Sequence, residues 1–126
     1  MDFDDFLNLV ANRADVGWDR AQALTDATLR TLAERISGGE AKDLAAQLPT
    51  ELQPSLSGAE ETAEVFSVDE FVRRVAQRAG VEEDAALNGA RVVMVTVREA
   101  VTSGEWDDVL AQLPKHYSDL LGPATA

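Results

Sequence analysis

The sequence predicts an all-α protein in which two tandem helical repeats, each with two main helices and one or two short ones, pack as one pseudo-twofold bundle. Three observations lead there. Residues 37–49, SGGEAKDLAAQLP, return at residues 102–114 as TSGEWDDVLAQLP. An ungapped shift of 65 residues aligns the rest of the two halves, and about 18 of about 47 positions agree. Apolar residues also recur at helical spacing in matching places, as Phe3, Phe6, Leu7, Val10 and Ala14 and again as Val68, Phe71, Val72, Val75 and Ala79.

Each half opens with a short amphipathic helix. Ser67 with Glu70 forms a capping box at the start of the second copy, and Asp2 with Asp5 imitates it in the first. Asp15 and Gly80 take the stop position, where a left-handed residue closes a helix. The longest helices follow, over about residues 18–36 and 82–101. The run VVMVTV favours a strand by β-propensity, but its counterpart TLRTLA has ordinary helix propensity, so a helix is expected in both halves. Val92 and Val95 widen the apolar face of the second long helix, which is expected to be the more deeply buried. Ser37 with Glu40, and Thr102 with Glu105, then repeat the capping spacing around glycines. A short helix through Leu44 and Gln47, or Val109 and Gln112, must end before Pro49 or Pro114. Further short helical pieces fit residues 50–53 and 115–121.

These elements divide the chain into a first repeat at residues 2–53, a linker at 54–66, a second repeat at 67–121 and a frayed tail at 122–126, all in one domain. A half of about 50 residues buries too little apolar surface to be secure alone, so the halves are expected to depend on each other.

Composition narrows function by exclusion. The 126 residues carry 23 carboxylates against 11 Lys and Arg, a net charge of -12, and Lys42 and Lys115 are the only lysines. That field repels phosphate backbones and anionic lipid, so neither nucleic acid nor membrane is an expected partner. Acid-rich, lysine-poor composition suits a salt-loaded cytoplasm, and high-GC codon usage produces it equally well. With no cysteine there is no disulfide, thiolate nucleophile or cysteine-held metal. No apolar run approaches the roughly 20 residues of a membrane span, and the acidic start MDFDDFLNLV is unlike a signal peptide. A cytoplasmic location is expected.

The motif DxFLxxVAxRA at residues 4–14, FVRRVAQRAGVEEDAA at residues 71–86 and the two AQLP elements resemble a family of small helical prokaryotic proteins, domain-of-unknown-function family 2267. The resemblance covers nearly the whole chain and implies a twofold-repeated helical fold. It implies no activity and no active-site residues. Trp18 and Trp106 depart from the more commonplace residues of that family.

No catalytic residue, metal site or cofactor is expected. His116 beside Tyr117 could do acid-base work, but its counterpart in the first half is Glu51, and nothing in the sequence supplies a nucleophile. The acidic groups Asp2-Asp4-Asp5, Glu60-Glu61-Glu64, Glu82-Glu83-Asp84 and Glu105-Asp107-Asp108 lack a calcium-loop pattern and read as solvated caps favoured by helix dipoles. Gln47 and Gln112, kept in both halves, are expected to satisfy backbone groups freed where each short helix stops, or to bind a ligand. Arg13 and Arg78 are expected to pair with Glu34 and Glu99.

The tryptophans align with Glu83 and Ala41, outside the shared core, and each is expected to be partly exposed near a helix start, as at binding hot spots. The resulting expectation is a noncatalytic interaction or regulatory module that binds a protein partner or itself. The alternative is a small-molecule or enzymatic site between the repeats, lined by Gln47, Gln112, Arg13 or Arg78.

Overall fold

The computed structural model describes residues 1–58 and 60–121, so the tail expected at 122–126 lies outside the described residues. Every regular element in them is helical. The order is α1 (Phe3–Ala14), α2 (Trp18–Arg35), α3 (Gly38–Gln47), α4 (Gln53–Leu56), α5 (Val68–Ala79), α6 (Glu83–Ala100), α7 (Ser103–Ala111) and α8 (Ser118–Leu121). Single 3-10 turns at Thr50–Leu52 and Lys115–Tyr117 lead into α4 and α8.

Local chemistry sets the ends of these helices. Asp2 accepts from the Asp5 amide at 2.8 Å to open α1, and Ser67 accepts from the Glu70 amide at 3.2 Å to open α5. The expected capping box is only half made, because the Glu70 carboxylate turns away to Arg73 and Arg74. Asp15 and Gly80 both close their helices in the left-handed region, at φ 56 and φ 68.

The core lies among α1, α2, α5 and α6. Helix α1 packs on α2 and α6, α5 packs on α6 and α2, and the two long helices touch each other. The short α4 covers α2 and the short α8 covers α6. Contrary to expectation, α2 is the more deeply buried long helix, with ten buried residues against seven in α6. Coverage decides this rather than side-chain hydrophobicity: α2 is packed by α1, α4, α5 and α6 at once, and Thr25, Thr28, Thr31 and Arg35 are buried along with its leucines, with Glu34 and Arg35 at its end also bonded to residues 64 and 66.

The segment at residues 54–66 was expected to be a loose connector. Helix α4 instead runs through Pro54 to a buried Leu56, since proline at the first turn of a helix loses no hydrogen bond. Residues 60–66 are tied to the end of α2 and the start of α3. The Gly38 amide donates to the Glu61 carbonyl at 3.3 Å, and the Glu64 amide donates to the Glu34 carbonyl at 2.9 Å. A Cβ on Gly38 would lie 2.8 Å from the Glu60 carbonyl oxygen, so this crossing needs glycine. Tyr117 completes the fastening by donating its hydroxyl to the Phe66 carbonyl at 2.7 Å, while Arg35 and Arg74 lie over the aromatic rings.

Contacts between the halves are reciprocal. Arg13 on α1 binds Glu99 at 2.8 Å and Thr96 at 3.1 Å on α6, and Arg78 on α5 binds Glu34 at 2.7 Å and Thr31 at 2.9 Å on α2. The Arg78 guanidinium holds the Glu34 carboxyl below its ordinary range. These pairs are about a third exposed, so each contributes little, on the order of 0 to 1 kcal/mol. Their value lies in orienting one half on the other.

Where α2 crosses α6, Leu24 meets Gly89, its own counterpart under the 65-residue shift. A Cβ on Gly89 would stand 2.6 Å from Leu24 Cδ2 and 3.1 Å from Cγ, and Leu24 is only 2% exposed. Alanine at 89 gains about 1 kcal/mol of helix propensity but overpacks the crossing at about 1 to 3 kcal/mol. Gly89→Ala should therefore lower the urea midpoint of the wild type. In a Leu24→Ala background the same change should raise it.

Candidate functional site

The halves meet a second time through their third helices, where α3 packs on α7. Ser37 caps α3 by accepting from the Glu40 amide, and Thr102 caps α7 by accepting from the Glu105 amide, both at 3.2 Å. In a complete capping box each glutamate would reach back to the amide of its own capping residue. Here the opposite half takes that role. Gln112 Oε1 accepts from the Ser37 amide at 2.7 Å, and Gln47 Oε1 accepts from the Thr102 amide at 2.8 Å. Gln112 Nε2 also donates to Ser37 Oγ at 3.1 Å.

The glutamates, released from capping, turn toward each other. Glu40 is 9% exposed and Glu105 7%, and the Oε2 atom of each is buried with no hydrogen-bond partner among the described residues. Carboxylate oxygens of Glu40, Asp43 and Glu105 lie within 4.8 Å of one another. Burial, then the Glu105 carboxyl, then Asp108 and Asp43 raise the pKa of Glu40 to about 8.

The family is decided by comparison with known sequences. A family model described as "Uncharacterized conserved protein (DUF2267)" matches residues 3–120. The chain belongs to the DUF2267 family. A comparison with curated proteins finds no match.

The residues that sequence reasoning singled out in this DUF2267 chain fall into three groups. Gln47 and Gln112 do satisfy backbone amides, but those at the helix starts of the opposite half rather than groups freed at their own helix ends. Trp18 is 39% exposed at the start of α2, as expected. Trp106 is not exposed: it is 8% accessible and joins the core with Val109, at a position where the first half buries Ala41 completely. His116 is exposed with its ring 5.0 Å from that of Tyr117, whose hydroxyl is already committed to Phe66. Among the described residues, three grooves on the surface are lined by none of Arg13, Arg78, Gln47 and Gln112. One, of about 660 Å³, includes Gly38, Lys42, Gln53 and Glu61.

The solvated-cap expectation fails for Glu105. In sequence, the capping spacing from Thr102 to Glu105 accounts for this glutamate without any tertiary role. The available signal was the pattern Glu-x-x-Asp, present at Glu40 and Asp43 and again at Glu105 and Asp108. In each helix the glutamate also stands four residues before a buried aliphatic, Leu44 or Val109, which places it on the inward face.

Two outcomes follow for DUF2267 variants of this chain. Gln112→Ala strips the half-buried Ser37 amide of its acceptor and should cost about 1 to 2 kcal/mol in chemical denaturation, with Gln47→Ala, at a more exposed amide, costing less. The folded pKa of Glu40 lies above the ordinary glutamate value of 4.5, so between that value and about 8 the folded state holds more protons than the unfolded state. Stability should therefore fall as pH rises through this window. In chelator-containing buffer the melting temperature of the wild type should decline toward pH 8, and Glu40→Gln should flatten the decline.

Proposed function

We propose that the chain is a noncatalytic, cytoplasmic helical module that works by binding a protein partner bearing a basic segment. The observation that carries this is Trp18, 39% exposed on an otherwise ordered helix start, where the second half has Glu83 and the fold has no need of an indole. Asp15 and Asp19 are exposed beside it in the sequence. An indole face flanked by carboxylates suits a lysine or arginine side chain, which gains cation-π and charge contacts together.

Two further observations support a binding role over catalysis. Several of the polar side chains kept in both halves, Arg13 and Arg78, Glu34 and Glu99, Gln47 and Gln112, are engaged in bonds between the halves. Arginines 13, 30, 73, 74 and 78 are also held in internal ion pairs, so much of the excess of carboxylates faces solvent. A net charge of -12 disfavours nucleic acid and a second copy of the chain alike. No helix among the described residues is long and apolar enough to cross a membrane. A second reading, a small ligand held between the halves, draws on the buried Glu40 and Glu105 pair alone.

Copurification of tagged protein from its own host at native salt tests the partner reading, with Trp18→Ala beside the wild type. A stoichiometric basic partner whose recovery falls at least about tenfold in the variant is expected, the loss typical of a hot-spot aromatic. Equal recovery with both proteins, or no partner with either, contradicts it.

A further inference from the structure

Glu40 and Glu105 hold two carboxyl groups together out of water, a costly arrangement that a bound cation would relieve. We propose that Glu40, Asp43 and Glu105 form a site, at the contact of α3 and α7, for a hard divalent cation such as calcium. The inference is independent of the partner reading, because it concerns a different face and different residues.

Donor chemistry and coordination flexibility narrow the choice of ion. The three oxygens lie within 4.8 Å of one another, close enough for one ion to be held by all three after a small adjustment. Calcium, with its flexible coordination, accommodates such an adjustment more readily than magnesium, which demands a near-ideal octahedron. The donors are all carboxylate oxygens, with no nitrogen or sulfur, which favours a hard cation over zinc or copper.

The orphaned oxygens are the second observation. Oε2 of Glu40 and Oε2 of Glu105 are both buried without a partner among the described residues, on side chains more than nine-tenths buried. Stability alone does not explain them. A buried carboxylate pair is costly, whereas apolar side chains at 40 and 105 would simply extend the core formed by Ala41, Leu44, Trp106 and Val109.

The site also has an open side. Asp43 and Asp108 are exposed, one turn beyond the buried glutamates on α3 and α7. Asp43 closes the ligand triangle, Asp108 stands at the rim as a charge or water acceptor, and water completes the six to eight oxygens that calcium prefers. Carboxylates projecting inward from facing helices are a recurring way of holding metal within helical bundles. The glutamine caps are what make this arrangement available, because they relieve both glutamates of capping.

The test is calorimetric titration of CaCl2 into chelator-treated, full-length protein at physiological ionic strength, with thermal melts run alongside. One ion per chain should bind, and millimolar Ca2+ should raise the melting temperature. The double variant Glu40→Gln/Glu105→Gln should fold, since it removes a repulsion, and should lose both the binding and the rise. Asp43→Asn, at an exposed position, should fold normally and weaken Kd by about tenfold, the scale expected for one ligand or its support. Absence of binding by the wild type would mean that a shared proton is the only occupant and would overturn the site. Undiminished binding by the double variant would assign the ion to the acidic surface and overturn it equally.

Discussion

Neither half of this chain completes the first turn of its own third helix. The amide of Ser37 is satisfied by Gln112 and the amide of Thr102 by Gln47, so each capping structure contains one residue from the other half. An amide left bare at such a position costs on the order of 1 kcal/mol or more, and the loss occurs twice if the halves separate. The same exchange occurs at Arg13 with Glu99 and Arg78 with Glu34. Polar specificity between the halves is therefore carried by reciprocal bonds, while the apolar faces of α1, α2, α5 and α6 supply most of the burial.

Reciprocal contact has a geometric consequence at positions that face their own counterparts. At the crossing of the long helices the residues that meet have complementary shapes, Leu24 against Gly89, and the contact is tight without strain. At the crossing of the third helices they are not complementary. Glu40 faces Glu105, like against like, with burial and two further acids, Asp43 and Asp108, disfavouring ionisation. We take this contrast as the main reason to place function, rather than packing, at the contact of α3 and α7. A fold that needed only stability could have resolved the glutamates as it resolved the leucine and glycine.

Much of the architecture was legible in the sequence because it depends on local periodicity and on repetition. The helices, the left-handed closures at Asp15 and Gly80 and the ion pairs of Arg13 and Arg78 could all be read from spacing or from agreement at a shift of 65 residues. What could not be read was which half a side chain would serve. Ser37-x-x-Glu40 looks like a self-contained cap, and only the tertiary structure shows Gln112 displacing the glutamate from it. Trp106 was misplaced because its counterpart, Ala41, is too small to advertise a core position. The fastening at the end of α2 escaped notice because residues 60–66 read as a polar connector, and their attachment runs through main-chain atoms of Gly38, Glu61, Glu64 and Phe66 that carry no sequence signal.

The central claim is that Glu40 and Glu105 are held against each other between α3 and α7. Its most direct test is a pH titration of the Glu40 carboxyl carbon by 13C NMR, on metal-free protein with the resonance assigned by Glu40→Gln. The account predicts that Glu40 keeps its proton far above the ordinary glutamate range and releases it only at about pH 8. A curve centred in the ordinary range would mean that Glu40 is solvated and apart from Glu105, and would contradict it.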